Sequence, residues 1–124
     1  MTWSLDARIP VLLVPDAEAL TAALAAGKPA AVLHAPAPIP PGAACALPFE
    51  AGVSSHALAC ACCQGRSPAA QALDQIFQAR VRGQCAWFDR VLVLAGDGAG
   101  QAITAALAED SLAMARFRLD ALAR

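Results

Sequence analysis

Apolar residues along this chain fall into two patterns: short unbroken blocks, and blocks spaced like one face of a helix. Arg8 to Pro15, RIPVLLVP, is an unbroken and partly β-branched run bounded by prolines, and it predicts a strand buried on both faces. Asp16 stands where a helix cap is needed. Ala17, Leu20 and Leu24 follow at i, i+3 and i+7, so a helix is predicted over Asp16 to Ala26, ended by Gly27. Pro29 to Ala35, PAAVLHA, is a second buried strand. Strand, helix, strand in close succession implies a parallel pair joined by a right-handed crossover.

The pattern then lapses. Prolines at 36, 38, 40, 41 and 48 interrupt any period, and residues 36–53 read as a long Pro-rich irregular loop. Ser54 to Ala61, SSHALACA, alternates weakly and predicts a third strand that delivers cysteines at its end. Ser67 and Pro68 have the chemistry of a helix start, and Ala69, Ala70, Leu73, Ile76, Phe77 and Val81 form one stripe up to Gly83. Phe88 to Gly96, FDRVLVLAG, is the clearest strand, with Trp87 and Phe88 expected to anchor its entrance in the core. It runs into the turn GDGAG. Gln101 to Ala108 reads as a helix, Ser111 to Ala115 as a further turn, and Arg116 to Leu122 as an edge strand. The expected fold is α/β, a single domain over 1–124 with a three-layer, mostly parallel sheet of about four to five strands flanked by helices. Sites in such sheets form beyond the carboxyl ends of the strands, where both CACC and GDGAG would fall.

Composition narrows the function classes. Of the 124 residues 58% are apolar, but much of that is alanine, and no run approaches the roughly 20 large apolar residues of a spanning helix. Eight arginines and one lysine are scattered along a chain of net charge −1, which favours neither nucleic acid nor a membrane surface. The opening MTWSLDARIP lacks the charged and apolar regions of a signal peptide, so the cytoplasm is the expected compartment. Thiols stay reduced there, and five cysteines, three of them within Cys60 to Cys63, point to metal binding or thiol reactivity in preference to a disulfide framework.

Cys60 and Cys62 in an extended segment project to the same side roughly 7 Å apart, at about 3.3 Å of rise per residue. A bend at Cys63 is needed before the thiolates share one ion at about 2.3 Å each. The helix start near Ser67, together with Arg66, favours the thiolate form that binds metal. Three soft ligands suit Zn²⁺, Co²⁺ or Cu⁺ and leave one tetrahedral position for Cys45, His56, Cys85 or a partner group. Buried cysteines packing as small hydrophobes are the plain alternative, as is a core role for His34 at the end of its strand.

Residues 54 to 122 carry HALACACCQGR, FDRVLVLAG and RFRLDAL in that order, and in this they resemble the CobW-type metal-chaperone GTPases. The resemblance implies a truncated P-loop-GTPase-like fold in which Cys60, Cys62 and Cys63 bind a cargo metal. The nucleotide machinery is missing. A P-loop needs two glycines separated by four residues and then Lys and Ser/Thr, so that backbone amides cradle phosphate. The turn after the first strand instead reads VPDAEAL, with Asp16 and Glu18 where phosphate would sit. The Gly27–Lys28 pair ends a helix, has Ala22 at the earlier glycine position and is followed by Pro29, while Leu94 stands where the family has a Glu. No catalytic residue, GTP binding or GTPase activity is expected.

The sequence therefore predicts a non-catalytic protein that holds a thiophilic ion, for sensing, buffering or delivery. A homodimer or a full-length GTPase relative is the expected partner, through an exposed sheet edge. Two rival readings are a thiol oxidoreductase working from Cys60 with Cys62 or Cys63, and a metal-free interaction module. A nucleotide site on GDGAG is the weakest alternative.

Overall fold

A computed structural model of the chain describes residues 8–35, 38–49 and 67–122. Five strands form one sheet: β1 (Ile9–Val14), β2 (Ala30–His34), β3 (Cys45–Pro48), β4 (Arg90–Leu94) and β5 (Phe117–Leu122). Their spatial order is β3-β2-β4-β1-β5, and every pairing is parallel. Helices α1 (Ala17–Ala25), α2 (Pro68–Val81), α3 (Ala99–Glu109) and α4 (Ser111–Arg116) cover the two faces, which makes the predicted three-layer α/β arrangement.

The three central strands are apolar on both sides because both sides are covered. Val11, Leu13, Ala31, Leu33, Val91 and Val93 face α2, α3 and α4, together with buried Leu73, Ile76, Ile103 and Phe117. The alternate residues Leu12, Val14, Ala30, Val32, Leu92 and Leu94 face α1, where Leu20 is wholly buried. A two-residue period thus splits one sheet into two cores, which is why these segments read as continuous apolar runs.

Helix starts follow local chemistry. Asp16 caps α1 by accepting from the Ala19 amide at 2.8 Å, Ser67 caps α2 with Pro68 in the first turn, and Asp110 caps α4 through the Ala113 amide. On the broader face Phe77 meets Phe117 edge-on with centroids 6.0 Å apart, and Arg116 lies over the Phe77 ring while pairing with Asp74 of α2. These contacts dock α4, and hence β5, against α2.

Three sequence expectations change. Residues 36–53 were expected to be irregular throughout, yet Cys45–Pro48 is a strand paired in register with Ala31–His34. Pro48 is tolerated because β3 forms an edge of the described sheet, where a missing amide removes no ladder bond. The β2–β3 connection carries no described helix; Ile39 and Ala43 pack onto the α1-side core in its place. Val81 and Trp87, expected inside, are 55% and 57% exposed, whereas Phe88 is fully buried. Trp87 is held outside because its indole donates to Asp89 at 3.3 Å and the Arg80 guanidinium stacks 3.6 Å from its ring centroid. The strand predicted over Ser54 to Ala61 lies outside the described residues.

Candidate functional site

All five strands run the same way, so the sheet has a strand-start edge and a strand-end edge. At the strand-end edge the chain leaves β3 through Phe49, whose amide donates to the His34 carbonyl at 2.8 Å. It re-enters the described fold at Ser67, whose Oγ accepts from the Ala70 amide at 3.2 Å to start α2. Cys60, Cys62, Cys63, His56 and Arg66 belong to the intervening stretch and lie outside the described residues. His34, the last residue of β2, is buried at this edge. Its Nδ1 lies 2.6 Å from the Ala35 carbonyl oxygen, a contact in which that nitrogen is the donor.

GDGAG also sits at the strand-end edge, as predicted. Gly96–Gly98 makes one 3₁₀ turn, and Gly98 enters α3 at φ +80, a conformation open to glycine. A Cβ on Gly100 would come within 3.1 Å of the Ala95 Cβ, so glycine permits the close approach of α3 to the end of β4. An open apolar groove of about 510 Å³ lies alongside, lined by Leu13, Ala95, Gly100, Gln101, Thr104 and their neighbours on α3. At the first strand–helix turn the Asp16 carboxylate takes an α1 amide, so this helix start carries its own negative charge.

The two remaining cysteines are at the opposite edge. Cys45 opens β3 and Cys85 follows α2, and both pack against the same core beneath α2. Considered separately in the sequence as fourth ligands to the cysteine cluster, they share one core face here, and both are free and half-buried. Burial first, then the hydrogen bond and charge of Cys85, push the Cys45 thiol up from 9.0 to about 11. Cys45 therefore keeps its proton at neutral pH. That shared placement was not legible from the sequence, because it depends on the register of an edge strand read there as loop.

The connection that carries Cys85 is fastened on both sides. Arg80 donates from Nε to the Phe88 carbonyl at 2.8 Å, and the buried Phe88 ring fixes the entry to β4. Arg90 donates to three carbonyl oxygens around the end of α1: Lys28 at 2.8 Å, Ala23 at 2.7 Å and Ala26 at 2.7 Å. Burial lowers the pKa of both guanidinium groups, with Asp89 opposing the shift at Arg80.

Among the described residues no three His, Cys, Asp or Glu side chains converge as a metal-binding group, and no helix is long and apolar enough to cross a membrane. Comparison with protein-family models, curated proteins and solved structures found no match.

Proposed function

We propose that this chain is a non-catalytic metal-binding protein that holds a thiophilic ion such as zinc through Cys60, Cys62 and Cys63. The observation that carries the reading is where the cysteine-bearing stretch joins the fold. It leaves beside buried His34 through the Phe49 amide and returns at the capped start of α2, both at the strand-end edge where α/β proteins bind ligands. Cys63 stands four residues before Ser67 in the chain, close in sequence to a helix start whose dipole favours thiolate.

Because Cys45 and Cys85 lie at the far edge of the sheet, the fourth position falls to His56 or to a partner group. The resemblance to CobW-type proteins supports metal as the cargo. The Asp16 carboxylate at the first helix start, and Leu94 packed into the α1-side core, argue against retained phosphate chemistry. Delivery, buffering or sensing would then pass through association with a second copy or a GTPase relative, at an edge strand such as β5.

Calorimetric titration of Zn²⁺ into the reduced protein, beside the C60S/C62S/C63S variant, tests the proposal. Tight binding by the parent and its loss in the variant are expected. Equal and negligible heats from both would end it.

A further inference from the structure

We propose that β5 pairs antiparallel with β5 of a second copy of this chain, about a two-fold axis through Leu119, so that the two sheets become one. This rests on the association invoked under the proposed function and fixes its partner and register, and none of the cysteines takes part in it.

The two edges of the described sheet differ. β3 is four residues long and ends in Pro48, so it offers little ladder to a neighbour. β5 is six residues long and free of proline, and among the described residues it pairs with β1 alone, matching Phe117, Arg118 and Leu119 to Ile9, Pro10 and Val11. An edge strand of this kind presents outward amides and carbonyls that another strand can pair with. Apolar surface gathers at the same edge. Leu112 and Met114 on α4 and Leu119 on β5 are three of the five exposed large apolar side chains among the described residues. Helix α4 leads directly into β5, and its Ala113 shares a core with Phe117.

Symmetry and charge select the partner and the register. Phe117 is buried on the α2 side of the sheet, and Leu119 falls on that side by alternation. Arg118 and Asp120 fall on the other side, where they form an ion pair at 3.4 Å and both stay partly exposed. Helix α1, which covers that side, packs on β1 and β4. Residues directly opposite in an antiparallel pair share a face, so a two-fold axis normal to the sheet must pass through a residue. An axis through Arg118 sets two guanidinium groups against each other, and one through Asp120 sets two carboxylates against each other. The axis through Leu119 places Arg118 opposite Asp120 of the second copy and Asp120 opposite its Arg118, with Leu119 against Leu119. The segment Arg118-Leu119-Asp120 is therefore complementary to itself in charge and in apolar contact, as a two-fold interface requires.

Sedimentation equilibrium of the full-length reduced chain in EDTA tests the proposal. The parent is expected to show a reversible monomer–dimer equilibrium. R118D sets carboxylates opposite carboxylates and D120R sets guanidinium groups opposite guanidinium groups, so each variant alone should dimerise about ten- to a hundredfold more weakly. An equimolar mixture of the two variants puts opposite charges across both pairs and should form a heterodimer with affinity close to the parent's. Mixing does not restore the ion pair within either chain, so this rescue reports contact between chains. A parent that stays monomeric at millimolar concentration, a variant that dimerises like the parent, or a mixture that stays monomeric would overturn the proposal. Should either variant fail to fold, hydrogen exchange of the parent decides: amides over 117–122 are expected to exchange more slowly at millimolar than at micromolar concentration, and equal exchange overturns it. The C60S/C62S/C63S chain separates this from the metal reading. Its dimer is expected to match the parent's, and loss of the dimer there overturns pairing through β5, whereas an intact dimer in a parent that takes up no Zn²⁺ counts against the metal reading alone.

Discussion

Arg90→Met should lower the melting temperature by about 8 to 12 °C, because one side chain in β4 closes the end of a helix on the other side of its strand. Helix α1 has no basic residue in its last turn, and its final carbonyls need donors from elsewhere. Arg90 supplies three N–H groups to Ala23, Ala26 and Lys28. A hydrogen bond from a charged donor contributes about 1.5 to 3 kcal/mol when buried. Only the bond to Ala23 is part-buried, so it is taken near the bottom of that range, and the two exposed bonds at well under 1 kcal/mol each. The favourable charge at the helix C-terminus adds about 0.5 kcal/mol. The total is about 2 to 3 kcal/mol. For a chain of this size 1 kcal/mol corresponds to about 4 °C. Methionine retains the apolar stem, so the loss isolates the guanidinium. Thermal unfolding followed by circular dichroism reads the shift, and amide hydrogen exchange should show lost protection concentrated in α1. Arg90→Lys, which cannot span three carbonyls from one ammonium, should recover less than half. A melting point within about 2 °C of the parent, with α1 protection unchanged, would refute the reasoning.

Phe88→Ala removes a ring that is fully buried between the α2 face and the start of β4, and should cost about 3 to 5 kcal/mol in urea unfolding at unchanged slope. The raised thiol of Cys45 predicts that the reduced protein loses stability as pH rises from about 9 to about 11. Over that window the unfolded chain gives up the Cys45 proton while the folded chain retains it, and Cys85→Ala should shrink the effect in denaturant titrations at each pH.

Much of the architecture is legible in the residue pattern, for reasons the structure makes plain. β1, β2 and β4 are central and covered on both faces, so their burial writes unbroken apolar runs into the sequence. Asp16, Ser67 and Pro68 mark helix starts through chemistry that works locally. β3 escapes such reading because it is four residues long, exposes alternate side chains at an edge, and ends in proline. Trp87 misleads because a large aromatic next to a buried strand suggests core, whereas stacking by Arg80 and a hydrogen bond to Asp89 satisfy it at the surface. The candidate chemistry divides in the same way. CACC is visible as a motif from spacing alone, while the placement of Cys45 and Cys85, 40 positions apart, on one core face arises only when β3 pairs with β2 and α2 spans the sheet back to its other edge.

Cobalt substitution tests the central claim most directly, since Co²⁺ reports both the number of thiolates and the symmetry around the ion. Reduced protein loaded with one equivalent of Co²⁺ is predicted to show the intense near-ultraviolet thiolate-to-cobalt band and the visible bands of a tetrahedral site. Single C60S, C62S and C63S changes should each weaken the charge-transfer band, and Zn²⁺ should displace the metal. A spectrum that stays that of the hexa-aquo ion, or tetrahedral bands that persist in the C60S/C62S/C63S variant, would contradict the assignment of these three sulfurs as the metal site.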